Sequence, residues 1–204
     1  MKNVLLALVA PVLLSAPLAM ASTPPSPEAG KNYLITEEPA SKSPSVIEFF
    51  SYACAHCRKL DPSVAQWAAH AGKDVTITQV PVSFGNRQWA GYAKAFYVSE
   101  ALDLKAISHS ALFDLASRGV KLDNDEAIID FFVGLGADRA RVGQMVDSFV
   151  VRSMIAEGDR LTMRYKVREV PSFVANGKYL TSPSMTDSNA TLLGLLSSLT
   201  GISK

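Results

Sequence analysis

The sequence predicts an α/β protein whose sheet is built from two separated parts of the chain, with a block of helices inserted between them. Apolar periodicity changes along the chain in the order strand, helix, strand, a long helical region, two strands and a last helix. Such alternation is typical of a sheet covered by helices. The only two cysteines, Cys54 and Cys57, lie where the first long predicted strand meets the first predicted helix.

The first 21 residues have the layout of a secretory signal peptide. Lys2 precedes an apolar run that ends in Ala19-Met20-Ala21, a small-x-small pattern, so we expect cleavage directly after this triplet. The alternative is an uncleaved membrane anchor, which Pro11 and Pro17 within the run disfavour.

An N-terminal arm is predicted over residues 22–44, which are rich in Pro, Ser, Lys and Glu. Residues 32–35 within it are candidates for a short edge strand. The rest of the chain is long enough for one domain with a substantial core and an insertion. The chain carries 20 Lys and Arg against 19 Asp and Glu, with no basic stripe, so nucleic-acid binding has no electrostatic support.

Hydrophobic patterning predicts the first long strand, the first helix and the next strand. Residues 45–52 are β-branched and aromatic with few charges, as expected of a central strand. Residues 54–71 place apolar side chains at helical spacing, and Pro62 inside this pattern predicts a kink. Residues 75–82 alternate between polar and apolar side chains and predict the second strand.

The central region is predicted to be helical, and the chain then returns to strands. Four helices are expected from their apolar period and their start and stop signals, over residues 88–101, 105–118, 125–135 and 138–165. Further on, Asn176-Gly177, the strongest short signal for a hairpin turn, joins strands predicted over 171–175 and 178–181. A final helix is expected over residues 188–199.

The motif Cys54-Ala55-His56-Cys57 at the start of a helix is the pattern of a thiol–disulfide redox centre. A structural disulfide stabilises a fold most when it closes a long loop, and this loop is too short for that. The spacing therefore favours chemistry. A metal site with Cys54, Cys57 and His56 or His70 as ligands is a competing interpretation. Structural zinc, however, usually takes four ligands, and the chain has only one cysteine pair.

Several segments together resemble one known family. Residues 48–52 lead into the cysteine motif, Pro62 lies five residues after Cys57, and Ser148-Phe149-Val150-Val151 precedes a segment that runs Val170-Pro171-Ser172-Phe173-Val174-Ala175-Asn176-Gly177-Lys178-Tyr179. With the signal peptide and the helical block, they resemble the periplasmic DsbA-type thiol:disulfide oxidoreductases over nearly the whole mature chain.

The resemblance implies a thioredoxin fold with an inserted all-helical subdomain. The thioredoxin-like domain is then discontinuous, over residues 45–85 and 168–204, and the helical subdomain spans residues 86–167. Two positions depart from the family pattern. Ala55 stands where the commonest motif has Pro, and Gln79 stands where members often place a Lys that faces a buried acid. Both departures affect the redox tuning of the site.

The resemblance also implies roles for three residues of the motif. Cys54 is expected to be the nucleophile and the leaving group, because a thiolate at a helix N-terminus accepts backbone N–H bonds and lies at the positive end of the helix dipole. His56 is expected to add a donor or a positive charge, unless it is an ordinary exposed histidine. Cys57 is the buried internal partner. The redox-active disulfide Cys54–Cys57 is then the reactive group, with no other cofactor and no metal.

Three residues outside the motif complete the predicted site. Pro171 is expected to be cis and to face the disulfide, while the backbone of Val170 binds a peptide; the alternative is an ordinary strand-edge proline. Glu48 is an acid in an apolar strand. We interpret it as a buried carboxyl that assists proton movement near the cysteines, or alternatively as a strand-end residue that reaches solvent. With Gln79 beside it, its pKa is expected to rise.

Partners and a compartment follow from the same resemblance. Reduced exported proteins are the expected substrates, and a DsbB-like membrane protein that passes electrons to quinone is expected to reoxidise the enzyme. We expect a periplasmic monomer. A reductase or isomerase of the same fold, and a binding protein with an inert disulfide, are the alternatives. We interpret the isolated His70 and His109 as structural or surface residues.

Overall fold

The computed structural model describes residues 27–202, so the predicted signal peptide lies outside the described residues. Five strands form one sheet in this part of the chain: β1 Leu34–Ile35, β2 Ser45–Phe50, β3 Thr76–Pro81, β4 Ser172–Ala175 and β5 Tyr179–Thr181. The helices are α1 Ala55–Ala71, α2 Arg87–Leu102, α3 Lys105–Ser117, α4 Asp125–Gly134, α5 Arg139–Val146, α6 Phe149–Arg164 and α7 Asn189–Thr200. Over residues 27–202, none of the helices has the length and apolar character needed to cross a membrane.

The sheet joins the two outer parts of the chain, as predicted. Its strand order is β1-β5-β4-β2-β3, with β2 and β3 parallel and all other neighbours antiparallel. The predicted edge strand is present as β1. In the pairing of β2 with β3, Glu48 lies opposite Gln79. The predicted hairpin is also present, since β4 pairs antiparallel with β5, and Asn176 and Gly177 in its turn have left-handed φ angles of 50° and 65°.

Helices cover both faces of the sheet. On one face, α1 and α7 enclose a core that contains Val46, Phe173 and Leu196. On the other face, Tyr165, directly after α6, packs edge-on against Phe49 with the ring centroids 6.1 Å apart. The chain between β3 and β4 is described throughout and holds five helices and no strand. These inserted helices share a core with the end of β2 and with the cysteine motif.

The prediction of a single long helix over residues 138–165 is wrong. Two helices, α5 and α6, replace it, and the chain breaks at Asp147-Ser148. Ser148 has an extended backbone, and its hydroxyl accepts a hydrogen bond from the N–H of Val151 at 3.2 Å. Its own N–H donates to the carbonyl of Met145 at 2.9 Å. A serine whose side chain accepts a hydrogen bond from a free N–H group favours the start of a new helix, even where apolar residues continue at helical spacing.

Candidate active site

The cysteine motif occupies the junction of β2 and α1. Cys54 has an extended backbone (φ −94°, ψ 114°) and is the N-cap of α1. Its side chain therefore lies beside the N–H groups that the first helical turn leaves unpaired. The sulfur Sγ accepts a hydrogen bond from the backbone N–H of Cys57 at 3.4 Å. From here α1 continues through Pro62 as one helix, and the predicted kink stays a prediction.

The two thiols, both free in this structure, lie in different surroundings. Cys54 is partly exposed, whereas Cys57 is buried in the core. The pKa of Cys54 is lowered to about 6, mainly because the thiol of Cys57 donates a hydrogen bond to it. The backbone N–H groups of Cys57 and His56 and the charge of His56 also lower this pKa, whereas partial burial opposes them. The same hydrogen bond and burial raise the pKa of Cys57 far above its usual range. Cys54 is therefore the thiol that ionises.

His56 is exposed on the first turn of α1. Its backbone N–H and its charge favour the thiolate of Cys54, although the thiol of Cys57 has the larger effect. Its tuning role stays a prediction. Among residues 27–202 no three His, Cys, Asp or Glu side chains come together as metal ligands, so the competing metal interpretation has no ligand set in that part of the chain.

Val170, the residue before Pro171, comes from a distant part of the chain and lies against Cys54. The peptide bond between them is cis. The thiol of Cys54 donates a hydrogen bond to the carbonyl oxygen of Val170 at 3.4 Å. Because β4 begins at Ser172 and pairs with β2, the segment just before β4 meets the loop just after β2. The predicted peptide site and the cysteine motif are thus adjacent.

Glu48 is only 3% exposed, so it does not reach solvent from a strand end. The amide Nε2 of Gln79 donates a hydrogen bond to its Oε2 at 2.7 Å. Burial raises the pKa of Glu48 to about 7, and the charge of Asp61 adds to the rise, while the Gln79 hydrogen bond and the charges of His109 and Lys105 oppose it. This rise has the direction expected from the sequence, because Gln79 supplies a hydrogen bond and no positive charge.

A cluster beside Glu48 was not predicted from the sequence. His109 on α3 is hydrogen-bonded through Nδ1 to the hydroxyl of Tyr52 at 2.8 Å and through Nε2 to Oδ1 of Asp61 at 2.8 Å. Asp61 lies one helical turn after Cys57, a spacing that could have marked it. Nothing in the sequence marks His109, because only the packing of α3 brings it to the site. His70, by contrast, is exposed on α1.

Comparison with known proteins identifies the family. The thioredoxin family model matches residues 31–100. The thiol:disulfide interchange protein DsbA of Burkholderia cepacia is 31% identical over 194 residues, which cover 92% of this chain and 91% of that protein. This chain belongs to the DsbA family. It is therefore a thiol:disulfide oxidoreductase, as the sequence predicted, and Cys54 and Cys57 are its only cysteines.

Further DsbA relatives agree in sequence and in fold. The DsbA protein of Pseudomonas aeruginosa is 30% identical over 179 residues, which cover 82% of this chain and 84% of that protein. A crystal structure of Pseudomonas aeruginosa DsbA, at 27% identity, matches with a TM-score of 0.79 over 85% of this chain and 93% of that chain. The predicted thioredoxin fold with inserted helices is confirmed.

Proposed function

We propose that this DsbA-family protein introduces disulfide bonds into exported proteins by exchange at Cys54–Cys57. One observation supports oxidation of substrates over their reduction: Cys54 lies at the start of α1, where hydrogen bonds lower its pKa to about 6. A thiolate that is stable at neutral pH leaves readily and stabilises the reduced enzyme. Each pKa unit below the ambient pH is worth about 1.4 kcal/mol, or about 30 mV for this two-electron couple.

The proposed reaction has two exchange steps. A substrate thiolate attacks Sγ of Cys54 in the oxidised enzyme, the bond between Cys54 and Cys57 breaks, and Cys57 leaves with the electron pair. A second substrate thiolate then attacks the substrate sulfur of this mixed disulfide and expels Cys54 as a thiolate. The substrate loses two electrons and gains a disulfide, and the cysteine pair is reduced. Cys57, whose pKa is strongly raised, takes up one proton.

Glu48 is the proposed source of that proton. Because its pKa is raised to about 7 by burial, both protonation states are accessible near neutral pH. Its charge contributes to the raised pKa of Cys57, which supports its proximity to the thiol. Gln79 holds the carboxyl by a hydrogen bond without adding a charge that would keep it ionised.

Val170 and Pro171 are the proposed peptide site. The hydrogen bond between Cys54 and the carbonyl of Val170 supports this role, because a peptide bound along Val170 would bring its own sulfur to Cys54. A groove of about 650 Å³ extends from Arg168 and is lined by Phe84 and Met163, which are 47% and 71% exposed. Exposed apolar side chains around a groove are typical of surfaces that bind other proteins.

The proposal extends to the compartment and the partners. The pattern of the first 21 residues supports export and cleavage, and disulfide formation suits the periplasm. A DsbB-like membrane protein that passes electrons to quinone is the proposed reoxidising partner of the monomeric enzyme.

The proposed domain bounds are 45–85 and 168–204 for the thioredoxin-like domain and 86–167 for the helical subdomain. The five helices between β3 and β4 support them.

A reductase or isomerase of the same fold is the second candidate, because Ala55 replaces the proline of the commonest family motif. Titration of the Cys54 thiolate by ultraviolet absorbance, with Cys54→Ala as the blank, separates the candidates. We expect a midpoint near pH 6 in the reduced protein. A midpoint near 9.0, the value of the unperturbed thiol, would contradict the oxidase and favour a reductase or an inert disulfide.

The peptide site is tested by Pro171→Thr. Threonine adds a backbone N–H and a hydroxyl beside Cys54, and we expect it to slow substrate release, so that mixed disulfides accumulate. The adducts are counted on non-reducing gels of cell extracts and must disappear with reductant. The same substitution in a Cys54→Ala background is the control and should trap nothing. If Pro171→Thr yields no adducts, the peptide site lies elsewhere.

A further inference from the structure

His109 links the helical insertion to the redox centre. Its ring packs edge-on against Tyr52 and Phe113, with centroid distances of 5.4 and 5.2 Å. Its two nitrogens are hydrogen-bonded to Tyr52, two residues before Cys54, and to Asp61 of α1. The side chains of His109 and Asp61 are 17% and 22% exposed, so solvent and salt screen this pair less than a surface pair.

A cavity of about 480 Å³ connects this pair with Glu48. Its polar wall comes from four elements: Glu48 of β2, Gln79 of β3, Asp61 of α1, and Lys105 and His109 of α3. Since β3 contributes a neutral amide, the positive charge that faces Glu48 in this cavity comes from α3. An element of the helical insertion thus supplies the basic side chains beside an acid of the sheet.

The other titratable groups around the cavity are engaged in distinct ways. Lys105 interacts with two residues of α2: its Nζ lies 3.1 Å from Oε1 of Glu100 and 5.2 Å from the ring centroid of Phe96. Tyr52 stays un-ionised, because burial raises its pKa well above the usual range, so its hydroxyl oxygen can accept a hydrogen bond from Nδ1 of a protonated His109. Cys57 lies in the core next to the acid, and the charge of Glu48 acts on it. His109 is the basic side chain that pairs directly with Asp61, through Nε2.

We propose that His109 is a positioning residue that sets the proton affinity of Glu48. It holds Asp61 at the cavity wall and presents its own positive form to the same cavity, so it compensates the negative charge that appears when Glu48 ionises. The proposal rests on the proposed function of Glu48 as the proton source for Cys57. In that step Cys57 takes the proton of Glu48, Glu48 recovers one proton from solvent through the cavity, and no electron passes through His109.

The test is a titration of the Glu48 carboxyl in the reduced protein, read from its infrared C=O band and assigned with Glu48→Gln. His109→Gln keeps a hydrogen-bonding side chain but removes the positive charge, so the midpoint should rise by about half a pH unit or more. Asp61→Asn removes a negative charge and should lower the midpoint by a similar amount. His109→Lys restores the charge without the ring and should return the midpoint to the wild-type value or below.

His70→Gln is the matched control, because His70 is exposed on α1 and is not among the residues that line the cavity. It should leave the midpoint unchanged. Equal midpoints in the wild type, His109→Gln and Asp61→Asn would overturn the proposal. A shift in the same direction for both variants would also overturn it, since general loosening of the cavity has that effect.

The pH profile of disulfide exchange with a dithiol peptide is measured on the same proteins. It should shift with the Glu48 midpoint, upward for His109→Gln and downward for Asp61→Asn. If Glu48→Gln exchanges normally at every pH, the proposed proton role of Glu48 fails. The infrared midpoints still decide whether His109 controls the carboxyl, so the two failures are distinguishable.

Discussion

At the scale of single residues, neighbouring acidic groups of the site have pKa values shifted in opposite directions. Cys54 and Cys57 are three residues apart, yet the pKa of one is lowered and that of the other raised, because one accepts hydrogen bonds at a helix start and the other is buried beneath it. Glu48 is buried with a neutral partner, so its proton is held until about pH 7. Glu48, the proposed proton source for Cys57, is therefore still partly protonated at neutral pH.

Glu48→Gln should remove a pH-dependent loss of stability. The pKa of Glu48 rises from 4.5 to about 7 on folding, so the wild type loses stability as pH rises through this range, by about 3 kcal/mol in all. Relative to the wild type, Glu48→Gln should gain about that amount between pH 4 and pH 8. Urea unfolding of both reduced proteins at several pH values measures it, and a pH-independent difference would contradict a buried neutral carboxyl.

Glu37→Gln is the control for the sign of this effect. Glu37 is exposed, and its hydrogen bond and ion pair with Lys166 at 2.8 Å lower its pKa. The contribution of Glu37 to stability is therefore present at high pH and lost as pH falls. Glu37→Gln should accordingly lose stability relative to the wild type as pH rises, which is opposite to the trend of Glu48→Gln.

At the scale of elements, helix starts decide both the architecture and the chemistry. Five helices begin at a polar N-cap whose side chain accepts a hydrogen bond from the first turn, namely Asn86, Asn124, Asp138, Ser148 and Ser188. At α1 the same position is held by Cys54. The hydrogen bond that elsewhere stabilises a helix start therefore stabilises a thiolate at α1.

Close packing of α2 on the loop after α3 should make Gly91→Ala strongly destabilising. A Cβ at Gly91 would lie 1.6 Å from the backbone carbonyl oxygen of Leu122, which cannot move as a flexible side chain would. Overpacking of this kind costs about 1–3 kcal/mol or more, which urea unfolding will show. Gly143→Ala on α5 is the matched control, because its Cβ would approach Ile129 Cδ1 only to 3.9 Å. It should instead stabilise by about 0.5–1 kcal/mol.

At the scale of the whole molecule, the insertion is part of the redox centre. The core of α2–α6 includes Phe50, Tyr52 and Cys57, so the helices pack on the end of β2 where the motif begins. Through His109, α3 also reaches the wall of the cavity beside Glu48. The sheet positions the reacting sulfurs, and the insertion supplies part of the charge around their acid.

The oxidation state should change the stability of the whole molecule in a pH-dependent way. In the reduced protein the pKa of Cys54 falls from 9.0 in the unfolded chain to about 6 on folding. Its contribution to stability is present above pH 9 and lost as pH falls through 6. The free energy of unfolding of the reduced form should therefore rise relative to that of the disulfide form between pH 6 and pH 9.

Denaturant unfolding of both forms across this range measures the effect. Cys54→Ser is the control, because it removes the thiol that titrates, and its stability should not show the rise. A difference between reduced and oxidised protein that stays constant with pH would indicate an inert structural disulfide.

The sequence by itself predicted most elements because their signals are local. Asn176-Gly177 specifies its hairpin through backbone preference, and the cysteine spacing on a helix start specifies the reaction. The break at Ser148 is the exception: the apolar period predicted one continuous helix, whereas the capping serine starts a second helix there.

Tertiary structure alone decided which distant side chains meet. The pairing of β4 with β2 brings Val170 to Cys54, and the packing of α3 brings His109 to Asp61. The burial of Glu48 also needs both sheet neighbours and the covering helices, since a pKa depends on solvent exclusion and on charges far away in the chain. Residue types and spacing therefore determined the chemistry of this protein, and three-dimensional packing determined its electrostatic environment.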